Sequence, residues 1–164
     1  VFTEDALAGF DSRFHVRPPL RSESDRRALV AGVRDGVIAA IVSQHQPHDT
    51  AAKQAPLAAT EPGLSTIESV LSLGLELVER DELALTDLVR ALTIGPASVI
   101  GRTAGLGEGD MADLCLFDPT ATWTADDSTL VSAGRHAPVI GRELPGVVRL
   151  TLVEGQKAWD ALQV

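Results

Sequence analysis

Val37-Ile38-Ala39-Ala40-Ile41-Val42-Ser43-Gln44-His45-Gln46-Pro47-His48 is the stretch on which the reading of this chain turns. An uncharged apolar run ends in a polar cluster, the pattern of a buried strand (Val37 to Ser43) that delivers side chains to a site at its C-terminal end. Two histidines three residues apart, with a proline between them, point to chemistry. Position 44 is glutamine, a neutral amide that is a very poor base near neutral pH.

Upstream of this run, Ser22 or Ser24 caps a helix predicted to reach about Asp35, with Leu29, Val30 and Val33 on one face and Gly36 as its stop. Phe14-His15-Val16 is a short strand candidate ended by Pro18-Pro19, which cannot continue a ladder. Thr3 heads a helical turn through Leu7 with acidic residues in its first turn. Together these segments have the size of a strand–helix–strand crossover.

Downstream, residues 44–63 show little periodicity and form a long loop, of a length that in compact domains tends to be functional. Thr66 to Arg80 is predicted as an amphipathic helix with Ile67, Val70, Leu71 and Leu75 clustered. Thr86 to Thr93 is predicted as a second, and Ala97 to Ile100 as a final turn after Gly95-Pro96. From Gly101 onward, glycines punctuate short β-like runs at 113–117, 122–124 and 147–153, which describes a small β-rich appendage.

The chain has 164 residues, of which 45% are hydrophobic and 23% charged, a globular composition long enough for one ordinary domain. Its 14 basic against 23 acidic residues give a net charge of −9. Nucleic acid and anionic membrane surfaces, which require a basic face, are therefore excluded as expected partners. No apolar stretch approaches the length of a membrane span. Cys115 stands alone, so neither an internal disulfide nor a cysteine metal site is expected. It reads as a buried, inert thiol in a reducing, cytoplasmic setting. Trp123 and Trp159 are expected in core or inter-domain packing. The chain opens on Val1 rather than methionine, which suggests an internal start within a longer polypeptide.

Four motifs in order carry a resemblance. Arg17-Pro18-Pro19-Leu20-Arg21 is similar to an "N-P-P-L-R" motif, and Ser43 to His48 to "T/S-D-H-A-P-H". Pro62-Gly63-Leu64-Ser65-Thr66 is similar to "P-x-G-(L)-E-T", and Gly107-Glu108-Gly109-Asp110-Met111-Ala112-Asp113-Leu114 to "G-x-x-A-D-L". In this order and spacing they resemble the C-terminal part of a dihydroorotase, in the cyclic-amidohydrolase branch of the amidohydrolase superfamily. The resemblance implies an α/β fold: the C-terminal portion of a (β/α)8 TIM barrel over residues 1–100, followed by part of a small β-sandwich domain over 101–164. A piece carrying about two βα units leaves open sheet edges, so it is expected to fold with the remainder of its own barrel.

The same resemblance assigns roles. Position 44 matches the aspartate that closes the eighth strand, binds metal and acts as general base on the water attacking the ring amide. With Gln44 there, no catalytic residue is expected in this chain. Arg17, His48, Pro62 and Gly63 match substrate-binding positions and are expected to persist as a vestigial pocket. Arg17 replaces an asparagine and Gln46 a small alanine, so both add bulk. Arg17 is left to anchor an anion, pair with a pocket acid or lay its stem on apolar surface. His45 and His48 cannot by themselves hold zinc, since a catalytic zinc takes three protein ligands. No metal ligand or cofactor is expected here, and zinc only if the chain belongs to an active hydrolase.

Dihydroorotase-like chains without their catalytic groups resemble the non-catalytic homologues that support aspartate carbamoyltransferase. The expected function is that of a structural pseudoenzyme subunit in a homo- or hetero-oligomer with that partner. The alternatives are an active zinc-dependent dihydroorotase or another cyclic amidohydrolase, of hydantoinase or allantoinase type.

Overall fold

A computed structural model describes residues 1–162. Four helices come first: α1 (Glu23–Arg34), α2 (Val70–Glu79), α3 (Leu85–Leu92) and α4 (Ile94–Val99). A three-stranded antiparallel sheet follows: β1 (Leu114–Thr124), β2 (Glu143–Val153) and β3 (Gln156–Asp160), in the order β1-β2-β3. Short helical turns at Glu4–Leu7, Ser12–Phe14, Ala51–Lys53 and Leu57–Ala59 lie in the connecting segments.

The start and stop of α1 have local causes. The Ser22 hydroxyl accepts from the Asp25 N–H, and Glu23 and Asp25 place negative charge at the first turn with Arg34 in the last. Gly36, at φ +76°, turns the chain out of the helix. The apolar run then folds back: the Ile38 N–H donates to the Gly32 carbonyl and the Ile41 N–H to the Ala91 carbonyl, each at 2.9 Å. Gly95 sits directly under the Ala39 carbonyl, where any β-carbon would collide. Ile38 and Ile41 pack on a core of Val33, Leu75, Leu77, Leu83, Leu88 and Ala91.

The expected strand from Val37 to Ser43 carries no ladder among the described residues, and Val37 and Val42 are 83% and 73% exposed. A barrel strand is defined by neighbours on both sides, and none of the described residues supplies them. The strand candidate at Phe14–Val16 is likewise not one. Asp11 accepts from the Arg13 N–H and winds Ser12–Phe14 into a helical turn instead.

α2 is the central helix. It starts at Val70 rather than Thr66, because residues 66–69 form a turn in which Ser69 donates to the Thr66 carbonyl. Leu75 and Leu77 face the first core, and Gly74 lets Leu88 approach closely. Leu73 packs on a second core of Ala125, Ala137, Val139 and Leu144. A helix used on several sides must be apolar most of the way round, and α2 is. Its two buried polar residues are both paired: Ser72 accepts from the Trp123 indole N–H at 3.0 Å, and Glu76 pairs with Arg80 and Arg142.

The sheet differs from expectation in three places. The runs at 113–117 and 122–124 are one strand. The Asp118 carboxylate gathers the Thr120 and Ala121 N–H groups into a bulge around Pro119, which has no N–H to donate, and pairing resumes at Thr122. β2 begins at Glu143, ahead of the expected Val147. β3 follows a two-residue turn, Glu154-Gly155, with both residues at positive φ (51° and 76°), the geometry of a tight hairpin. Trp159 stands 54% exposed on this edge strand, and Cys115, on the opposite edge strand, is exposed rather than buried.

Candidate functional site

Three segments converge on a pocket of about 160 Å³: Val16-Arg17-Pro18, Ser43 to Gln46, and Gly63 to Thr66. Arg17 and Gly63, singled out in the sequence, line it together with Gln44 and Gln46. Leu64 and Thr66 line it as well, and sequence reasoning did not select them. The signal for Thr66 was its place at the end of the Pro62–Thr66 motif. Its hydroxyl donates to the Ser43 carbonyl at 2.7 Å and ties the far side of the pocket to the end of the apolar run.

Gln44 occupies the left-handed region at φ +47°, uncommon for a residue with a long side chain. This backbone swings the side chain across the pocket, where its amide Nε2 donates to the Arg17 carbonyl at 3.1 Å. The partner is a pure acceptor, and the Gln44 amide supplies the N–H that it takes. An ionised carboxylate has none to offer. Arg17 lies exposed at the rim, and none of the ion pairs among the described residues involves it, so the expected salt bridge to a pocket acid does not form with them.

The two histidines do different work. His45 Nδ1 accepts from the Thr66 and Ile67 N–H groups at 3.0 and 3.2 Å, capping the turn that leads into α2. Its ring proton therefore sits on Nε2, and a neutral imidazole so arranged has no lone pair left for a metal. His48 Nε2 donates to the Pro62 carbonyl at 3.1 Å, which closes the neck of the 44–63 loop. Gly63 completes that neck. At φ +137°, a β-carbon there would lie 2.7 Å from the Gln46 carbonyl and 2.8 Å from His48 Nε2, so only glycine fits. Pro62 and His48 thus frame the pocket without lining it.

Among the described residues no three His, Cys, Asp or Glu side chains are grouped as a metal site. With the His45 lone pair engaged and an amide at 44, the residues of this chain do not fit a zinc ion by themselves. No helix among them is long and apolar enough to cross a membrane.

The β-rich part packs against this site. The Glu68 carboxylate accepts from the Val131 and Ser132 N–H groups at 2.8 and 2.9 Å, and Ser65 donates to the His136 carbonyl. Arg135 donates to the Leu130 carbonyl at 2.6 Å and shapes the same turn.

A profile of the amidohydrolase family matches residues 12–158. A dihydroorotase-like protein of Pseudomonas aeruginosa is 48% identical over 156 residues, 94% of this chain and 37% of that protein. A dihydroorotase of Syntrophus aciditrophicus is 37% identical over 157 residues, 95% of this chain and 37% of its own length. The chain thus spans 37% of the length of these curated relatives. The L-hydantoinase (dihydropyrimidinase) of Arthrobacter aurescens superposes with a TM-score of 0.84 over 98% of this chain and 37% of the hydantoinase, at 24% identity. That likeness establishes the fold, part of a TIM barrel with an attached sheet. The family profile, which covers most of the sequence, places this chain in the amidohydrolase family.

Proposed function

We propose that this chain is part of a dihydroorotase-like protein of pyrimidine biosynthesis that has lost ring hydrolysis and serves as a structural subunit for aspartate carbamoyltransferase. The observation that carries this reading is Gln44: a neutral amide stands where the related motif has an aspartate, and its N–H is already committed to the Arg17 carbonyl. Loss of a general base alone costs a factor of about 10²–10⁴ in rate. Arg17 and Gln46 add bulk at the same pocket, which also supports a site that no longer turns over substrate. The remaining βα units of the barrel would cover Val37, Val42 and the unpaired run between them.

The competing reading is an active cyclic amidohydrolase. It is favoured by the relatives called dihydroorotase, with other groups then supplying the base and the metal. One experiment separates the two. The intact protein, supplied with zinc and dihydroorotate, is expected to show no ring opening above background, and to co-elute with aspartate carbamoyltransferase on size-exclusion chromatography. Turnover at an ordinary enzymatic rate would remove the pseudoenzyme reading, and elution indifferent to the transcarbamoylase would remove the partner.

A further inference from the structure

Each of the three segments that wall the pocket is met, at or next to the wall, by one short stretch of the β-rich part, residues 131–136. On the Gly63 to Thr66 side, Ser65 donates to it twice. Its N–H reaches the His136 carbonyl at 3.0 Å, and its hydroxyl reaches that of Ser132 at 3.2 Å. On the Ser43 to Gln46 side, Gly134 lies so close to Pro47, the next residue, that a β-carbon would strike the proline's own. On the Val16 to Pro18 side, His136 Nε2 stands 3.1 Å from the hydroxyl of Ser12, in the turn that leads into that wall.

The stretch is pinned at its ends and along its backbone. Leu130 before it and Ala137 after it are both buried, and Arg135 reaches back to the Leu130 carbonyl at 2.6 Å. Glu68, in the turn that enters α2, holds the backbone itself: one carboxylate oxygen accepts from the Val131 N–H at 2.8 Å, the other from the Ser132 N–H at 2.9 Å. Two consecutive N–H groups aimed at one side chain need two acceptors, which an ionised carboxylate supplies and an amide does not. Neither Glu68 nor any of residues 131–136 lines the pocket.

The walls are otherwise joined by isolated bonds. The Gly63 N–H donates to the His15 carbonyl and the Gln46 N–H to the Leu64 carbonyl, each at 2.9 Å, and Thr66 and Gln44 add one side-chain bond apiece. Loop segments closed by so few bonds open locally unless something packed against them holds them together.

We infer that residues 131–136 are a strap that positions all three walls of the pocket, with Glu68 as its anchor, so that strap and pocket open and close as one unit. Glu68 acts through the strap and is a positioning residue; it does not meet a ligand. The inference rests on contacts within this chain and stands whether or not the pocket retains any hydrolysis.

Amide hydrogen exchange on the intact protein tests it. Glu68→Gln keeps the side chain's size but turns an amide NH2 toward one of the two N–H groups. Exchange at Val131 and Ser132 is expected to quicken about tenfold, and exchange at Ser65, Gly63 and Gln46 by a similar factor. Leu75 in α2 and Ala125, which donates to the Arg142 carbonyl in the second core, are expected to hold. Gly134→Ala disturbs the strap at a separate contact. The added carbon meets Pro47, and exchange at Gly63 and Gln46 is expected to quicken at least about fivefold. In a Pro47→Gly background, which removes the atom struck, the same substitution is expected to have less than about half that effect. Quickening confined to Val131 and Ser132 would reduce Glu68 to a local cap and overturn the proposal. So would parallel quickening at Leu75 or Ala125, or a Gly134→Ala effect that Pro47→Gly leaves unchanged.

Discussion

On the pocket face, Arg17, Gln44 and Gln46 are exposed, and among the described residues their side chains make a single hydrogen bond, from Gln44 to the Arg17 carbonyl. At the base of the loop behind them, Lys53, Thr60 and Gly63 are buried, and the Lys53 ammonium, the Thr60 hydroxyl, the Gly63 N–H and the His15 Nδ1 and carbonyl are all hydrogen-bonded. The two regions are neighbours in the chain and in space. The frame tolerates little change, because each of its groups is someone else's partner. The face has few such obligations, so its residue types can be exchanged without disturbing the fold. A site built this way can lose its reaction and keep its shape.

Substitutions across the two regions put this contrast at risk. Gly63→Ala is expected to cost the most, about 3 kcal/mol or more, because the added carbon meets two backbone or ring atoms at under 3.0 Å and the φ of +137° is unsuited to it. Urea unfolding of the intact protein measures it, and a loss below about 1 kcal/mol would show that the neck is not rigid. His45→Ala comes next, at about 1–2 kcal/mol, since it strands the Thr66 and Ile67 N–H groups at the entry to α2. The same titration reads it, and exchange at those two amides should quicken with it. Arg17→Ala is expected to stay within about 0.5 kcal/mol of the parent. If it cost as much as Gly63→Ala, the distinction between face and frame would fail.

Much of this molecule is legible in its sequence because the decisive signals are local. Ser22 and Gly36 bracket α1, and α3 falls within a residue of the expected Thr86 to Thr93, whereas Gly95-Pro96 lie inside α4, which starts at Ile94 and not at Ala97. The position of the pocket came through the resemblance of the motifs at Arg17, Gln44 and Gly63, three residues that do meet. What escaped depended on distant partners. The 37–43 run has a strand's composition, but pairing is a property of neighbours. Lys53 sits in a polar loop, where a lysine is ordinarily solvated. Its burial arises from the fold of residues 52–61 around it. β3 was missed because Glu154-Gly155 lacks the asparagine or aspartate that usually announces a tight hairpin. Cys115 was read as buried from an apolar run that turns out to lie on an edge strand.

Gly95 under the Ala39 carbonyl has a consequence for how the molecule is made. The apolar run leaves the ribosome about fifty residues before the Ala91–Gly95 segment that seats it, so during synthesis it must wait, sticky and unsatisfied, for its own anchor. Until α3 and the residues after it have been translated, the run lacks the Ala91 carbonyl and the Gly95 contact that hold it.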